Sequence, residues 1–88
     1  MAHIEMYTTR ICPYCVAAKN LLKARGLDWQ ELRVDTDAEA RARMQARSSG
    51  VRSVPQIFIN DHHVGGYDEL VAAERSGQLA QWLAEDAS

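Results

Sequence analysis

An α/β fold with the element order β-α-β-α-β-β-α and a short extra C-terminal helix is predicted for this chain of 88 residues by three observations. Short strand-like runs alternate with longer stretches whose apolar residues recur at helical spacing. The last two strand-like runs are joined only by Asn60-Asp61, too short for the crossover a parallel pair requires, so they pair antiparallel. The length suits one domain, residues 1–88, and contains no internal repeat, linker or low-complexity segment.

The first strand spans His3 to Thr8, with Ile4, Met6 and Tyr7, and Thr9-Arg10-Ile11 is a brief loop after it. Pro13 then suits a first helical position, where its missing N–H has no intrahelical partner. From there to about Arg25, Val16, Ala17, Leu21 and Ala24 recur at helical spacing, and Gly26 suits a left-handed cap. Trp29 to Val34 reads as a second strand. Thr36 and Glu39 form a capping-box pattern that opens an Ala/Arg-rich helix to about Arg47, with Arg41, Arg43 and Arg47 on a solvated face. After the loop Ser48-Ser49-Gly50, the run Gln56-Ile57-Phe58-Ile59 is a buried-strand signal, and His62-His63-Val64 returns as a short strand ended by Gly65-Gly66. Tyr67 to Arg75 is helical, and Leu79, Trp82 and Leu83 form a final short helix after Gly77. Trp29 and Trp82 lie on amphipathic runs and read as packing residues.

Composition excludes several classes of function. The apolar share is 47% and the charged share 25%, mixed in sign, as in a soluble globular domain. A net charge of -2 provides no basic field for phosphates, so nucleic acid is not an expected partner. No run approaches the ~18 apolar residues that cross a bilayer, and the first residues lack both parts of an export signal, so a cytoplasmic location without membrane attachment is expected.

The two cysteines, Cys12 and Cys15, stand in one Cys-Pro-Tyr-Cys where a strand turns into a helix. A cysteine reacts as its thiolate, and the N–H groups and positive dipole end of a helix N-terminus stabilise that anion, which makes Cys12 the candidate nucleophile. Cys15 falls three residues later on the same helix face, placed to attack a mixed disulfide on Cys12. So short a loop staples almost nothing in the unfolded chain, which argues against a structural disulfide. A zinc site needs four ligands, and only His3, His62 and His63 remain to complete one; adjacent His62 and His63 on a strand point to opposite faces, so no metal is expected.

Three motifs in order resemble the glutaredoxins, over essentially the full length and close to the bacterial dithiol class. They are Tyr7-Thr8-Thr9-Arg10-Ile11-Cys12-Pro13-Tyr14-Cys15, then Ser53-Val54-Pro55-Gln56-Ile57-Phe58-Ile59, then Val64-Gly65-Gly66-Tyr67-Asp68-Glu69-Leu70. The resemblance implies a thioredoxin fold: a four-stranded mixed β-sheet flanked by helices. It implies a glutathione-dependent thiol–disulfide oxidoreductase that reduces protein–glutathione mixed disulfides and protein disulfides, with Cys12 as nucleophile and Cys15 as resolving thiol. Glutathione is then the reductant, with no tightly bound cofactor. A cis Val54-Pro55 peptide beside the sulfur, with Ser53 and Val54, would face an extended substrate. Tyr14 would line the groove, and Gly66, Tyr67 and Asp68 would hold the γ-glutamyl end.

Three departures qualify the match. Thr9 replaces a frequent lysine that helps stabilise the thiolate, and Arg10 or Arg41 are the cations available to substitute. Ser53 replaces the usual threonine and keeps the hydroxyl. Glu69 stands where aspartate is common and receives no ligand role. The implied partners are glutathionylated or disulfide-containing proteins, ribonucleotide reductase being one family substrate, acting on a monomer. Two other readings stay open: a glutaredoxin-like redoxin recycled by thioredoxin reductase, and a carrier of a glutathione-ligated two-iron two-sulfur cluster.

Overall fold

The computed structural model describes residues 2–85. Its elements are β1 (Ile4–Thr8), α1 (Pro13–Ala24), β2 (Gln30–Arg33), α2 (Ala38–Arg47), β3 (Gln56–Ile59), β4 (His62–Gly65), α3 (Tyr67–Ser76) and α4 (Gln78–Ala84). The strands form one mixed sheet in the order β2-β1-β3-β4. β1 runs parallel to β2, whereas β1 with β3 and β3 with β4 are antiparallel. The sheet and its helices form a thioredoxin fold, as expected, and the Asn60-Asp61 connection is indeed an antiparallel turn, with both residues at positive φ.

Strand alternation divides the core between the two faces of the sheet. Ile4 and Met6 of β1 and Ile57 and Ile59 of β3 point to one side, where Ala18 and Leu22 of α1, Leu70 and Ala73 of α3 and Leu79 of α4 cover them. Tyr7 and Phe58 point to the other side and pack with Ala40 and Met44 of α2 and with Val34. All four residues of β3 are buried, which is why that central strand reads as a nearly continuous apolar run. Leu22 has no exposed surface, and its truncation to alanine is of the kind that costs about 2–5 kcal/mol. Trp29 and Trp82 pack against the larger cluster, as packing residues should. Among the described residues, no helix is long and apolar enough to cross a membrane.

Helix α1 ends as expected. Its last turn closes through Gly26 at φ 71, whose N–H donates to the Lys23 carbonyl at 2.9 Å.

Two local expectations are corrected. Asp37, not Thr36, caps α2: its Oδ1 accepts from the Glu39 and Ala40 N–H groups at 3.0 and 3.1 Å, and with Ala40 at the third helical position no capping box forms. Arg47 does not belong to a solvated face. It lies one turn beyond Met44 on the packed side of α2, and its guanidinium sits 4.0 Å above the Phe58 ring. Two of its N–H groups meet the Glu5 carboxylate at 3.0 and 3.1 Å, and one also donates to the Tyr7 hydroxyl. A charged residue thus completes the smaller core, with its stem and planar head packed and its charge paired.

Candidate active site

β1 delivers the chain to the top of the sheet at Thr8, and α1 begins five residues later at Pro13. The intervening loop is tied to the end of β2. Asp35 Oδ2 accepts the Arg10 backbone N–H at 3.0 Å, while Arg33 binds the same carboxylate through two N–H groups at 2.8 and 2.7 Å. These hydrogen bonds, the Arg33 pair first, hold the Asp35 carboxyl well below the usual carboxylate range.

Cys12 is the N-cap of α1, with extended backbone, and Pro13 occupies the first helical position. Cys12 Sγ accepts the Cys15 N–H at 3.1 Å, a hydrogen bond in the place an N-cap oxygen would take. The first turn of α1 contains no acidic residue to oppose a negative sulfur there. Cys12 and Cys15 are joined as a disulfide, with Cα atoms 5.1 Å apart. Cys15 is sealed, at 1% exposure, while Cys12 retains 8%. Of the two residues, Cys12 is the one nearer the surface. Beside it, Ile11 and Tyr14 are strongly exposed apolar side chains.

The Val54-Pro55 peptide is cis. The Val54 carbonyl oxygen lies 3.8 Å from Cys12 Sγ, so the segment before β3 is the neighbour of the reactive pair. Next to it opens a groove of about 240 Å³. Tyr14 and Tyr67 line it as a neighbouring pair, with ring centroids 6.2 Å apart, and Ser53, Val54 and Pro55 line its edge.

The remaining wall is the start of α3, where Gly66, Tyr67 and Asp68 meet the groove. Gly66 is the N-cap and has no side chain to offer, so the first turn is stabilised instead by Glu69, whose Oε1 accepts the Gly66 N–H at 2.8 Å. Asp68 stands in the first turn, two positions after the N-cap. Gly65 has φ 114, a conformation other residues rarely adopt, and a Cβ there would meet Glu69 Oε1 at 2.9 Å and Cγ at 3.0 Å. A Cβ on Gly66 would lie 3.5 Å from the Pro55 carbonyl oxygen, an ordinary contact that puts the start of α3 beside the Pro55 segment.

The structure thus brings Tyr14, Ser53, Val54, Pro55, Gly66, Tyr67 and Asp68 around one groove beside Cys12. Arg10 and Arg41 are not among its lining residues. Two lining residues escaped the sequence reading. Gln56 is 3% exposed, and its signal is that of a lone polar residue opening an apolar strand, which must find partners when buried. Glu69 occupies the position from which an acid reaches back to a helix start, a signal present in the sequence but read only as a departure from family usage. Asp35 carried no local signal, because its grip on Arg10 exists only once β1 and β2 pair.

Comparison with known proteins gives a consistent set of likenesses. The family model described as Glutaredoxin matches residues 4–64. A probable glutaredoxin of Synechocystis sp. is 50% identical over 78 residues, covering 89% of each chain. The solution structure of glutaredoxin from Brucella melitensis superposes with a TM-score of 0.79 at 44% identity, covering 94% of this chain and 89% of that one. The crystal structure of a buckwheat glutaredoxin–glutathione complex superposes with a TM-score of 0.81 at 28% identity, covering 93% and 76%.

Proposed function

This chain belongs to the glutaredoxin family, is a thiol–disulfide oxidoreductase with a redox-active cysteine pair, and from that premise we propose that glutathione is its reductant and glutathionylated proteins and protein disulfides its substrates. The observation that carries the proposal is the groove beside Cys12, walled by two tyrosines and by the first turn of α3. Its chemistry suits a γ-glutamyl tripeptide. The α-carboxylate of the γ-glutamyl group would accept from first-turn N–H groups of α3, and its ammonium would pair with the Asp68 carboxylate. Ser53, Val54 and Pro55 would flank the peptide portion, with the Tyr14–Tyr67 pair packed against it. The likeness to a family member that forms a complex with glutathione supports the same reading.

Cys12 acts as nucleophile. Its thiolate attacks the glutathione sulfur of a mixed disulfide, forming a Cys12–glutathione bond as the protein thiolate leaves and takes up a proton. A second glutathione thiolate attacks the glutathione sulfur of that adduct, releasing glutathione disulfide and restoring the Cys12 thiolate. With protein disulfides, Cys15 displaces the protein from Cys12 and forms the internal disulfide. Two glutathiones then reduce that disulfide, the first attacking the accessible Cys12 sulfur and expelling Cys15, and the pair leaves as glutathione disulfide. No tightly bound cofactor enters either cycle. Residues 1–88 act as one domain, as a monomer in the cytoplasm. The deciding experiment is mass spectrometry of Cys15→Ser protein treated with glutathione disulfide: one added glutathione, on Cys12, is expected, and no adduct, or an adduct elsewhere, overturns the assignment.

A further inference from the structure

His63, which does not line the groove, is connected through Gln56, which does, to a peptide at the groove's edge. Gln56 Nε2 lies 3.1 Å from the Ser53 carbonyl oxygen and 3.4 Å from Ser53 Oγ. Gln56 Oε1 lies 2.6 Å from Nε2 of His63. His63 pairs with Phe58 across the β3–β4 ladder, and its ring stacks on Phe58 with centroids 4.9 Å apart and planes 22° apart. Gln56 and Phe58, two residues apart on β3, share a face, so the stacked imidazole is held within reach of the glutamine amide.

The hydrogen-bond inventory decides the direction of this chain of contacts. The Ser53 carbonyl can only accept, so the nitrogen of the Gln56 amide must face it and the oxygen must face His63. An acceptor oxygen on a residue 3% exposed needs a donor. His63 must therefore carry a proton on Nε2. Without that donor the amide loses what distinguishes its two ends, and a flipped amide would set oxygen against the Ser53 carbonyl. The Ser53 carbonyl in turn belongs to the planar Ser53–Val54 peptide, so gripping it orients the Val54 N–H in the opposite direction. Val54 lines the groove and places its own carbonyl 3.8 Å from Cys12 Sγ.

We propose that His63 is a positioning residue for the glutathione groove, acting from Nε2–H through the Gln56 amide to fix the Ser53–Val54 peptide. This rests on the reading of the groove as a glutathione site. The loss of one neutral hydrogen bond predicts a rise in KM of about fivefold, with kcat within about twofold, because the cysteines are untouched.

The test compares a peptide disulfide-linked to glutathione with the same peptide linked to 2-mercaptoethanol. His63→Phe keeps the stack on Phe58 and deletes the donor. Its KM for the glutathione adduct should rise about fivefold while that for the mercaptoethanol adduct stays unchanged, and His63→Gln, which restores an N–H donor, should recover most of the loss. Nitrogen-15 NMR of the histidines in the unaltered protein supplies a readout independent of any variant, and should find His63 protonated at Nε2. An unchanged KM in His63→Phe, or a neutral ring protonated at Nδ1, overturns the proposal. If the unaltered protein itself shows no preference for the glutathione adduct, the glutathione reading of the groove fails, and this inference falls with it.

Discussion

Replacing Gly65 by alanine is expected to cost about 3 kcal/mol of stability and to weaken substrate binding, through two separable effects. Gly65 is held at φ 114, where a residue with a Cβ is strained by about 2 kcal/mol. The new Cβ would also lie 2.9 Å from Glu69 Oε1 and 3.0 Å from its Cγ, so Glu69 must swing away and abandon the Gly66 N–H, a loss of about 1 kcal/mol. In a chain of this size about 3 kcal/mol lowers Tm by roughly 12–24 °C, which calorimetry resolves easily. Glu69→Ala alone removes only the hydrogen bond and should cost about 1 kcal/mol. In that background Gly65→Ala should cost about 2 kcal/mol rather than 3, because the bond it would have broken is already gone. A double-mutant cycle therefore yields a coupling of about 1 kcal/mol, and the KM for a glutathionylated peptide should rise in each variant as the α3 start loosens. A Tm loss below about 4 °C in Gly65→Ala, or strictly additive costs, would refute the reasoning.

Three further predictions follow from the site. Cys12→Ser should abolish reduction of small glutathione mixed disulfides while Cys15→Ser retains much of it, since Cys12 alone holds the accessible N-cap position; equal losses in a glutathione-coupled assay would count against these roles. Thr9→Lys should shift the ultraviolet thiolate titration of the reduced protein to lower pH, because a nearby cation favours the charged sulfur, and an unchanged titration would remove that idea. Asp35, whose carboxyl is held below its ordinary range, contributes stability that is present above its unfolded value of about 3.9 and is lost as the pH falls below it. Asp35→Asn should therefore flatten the decline of Tm between about pH 5 and pH 2, and parallel declines in the two proteins would contradict it.

Much of the fold was legible because its signals are local. The Pro13 start and Gly26 stop of α1, the unbroken run in β3 and the two-residue turn after it each act within a few residues, and the elements they predict are present. Helix α1, however, packs through Cys15, Ala18 and Leu22, while Val16 and Ala24 of the expected apolar set face outward. The caps were less legible. Thr36 and Asp37 are both competent N-caps, and which one serves depends on where the backbone leaves its extended conformation, a matter settled by the packing of Ala40 and Met44 on the sheet. Arg47 was misread for a related reason: an arginine at the end of a polar helix is ordinarily solvated, and only the approach of Glu5, Tyr7 and Phe58 from two strands makes it part of a core.

What the chain alone determined was the chemistry and its address: two cysteines around a proline at a strand-to-helix junction, and the order of elements that carries the other motifs to the same end of the sheet. What tertiary structure decided was the difference in exposure between the two cysteine residues, the contact of Tyr14 with Tyr67 in the groove lining, and the run of hydrogen bonds from His63 through Gln56 to Ser53. The physical reason is range. Helical period and turn length act between near neighbours, whereas burial, ring contact and the choice of a hydrogen-bond partner exist only when residues distant in the chain share one place.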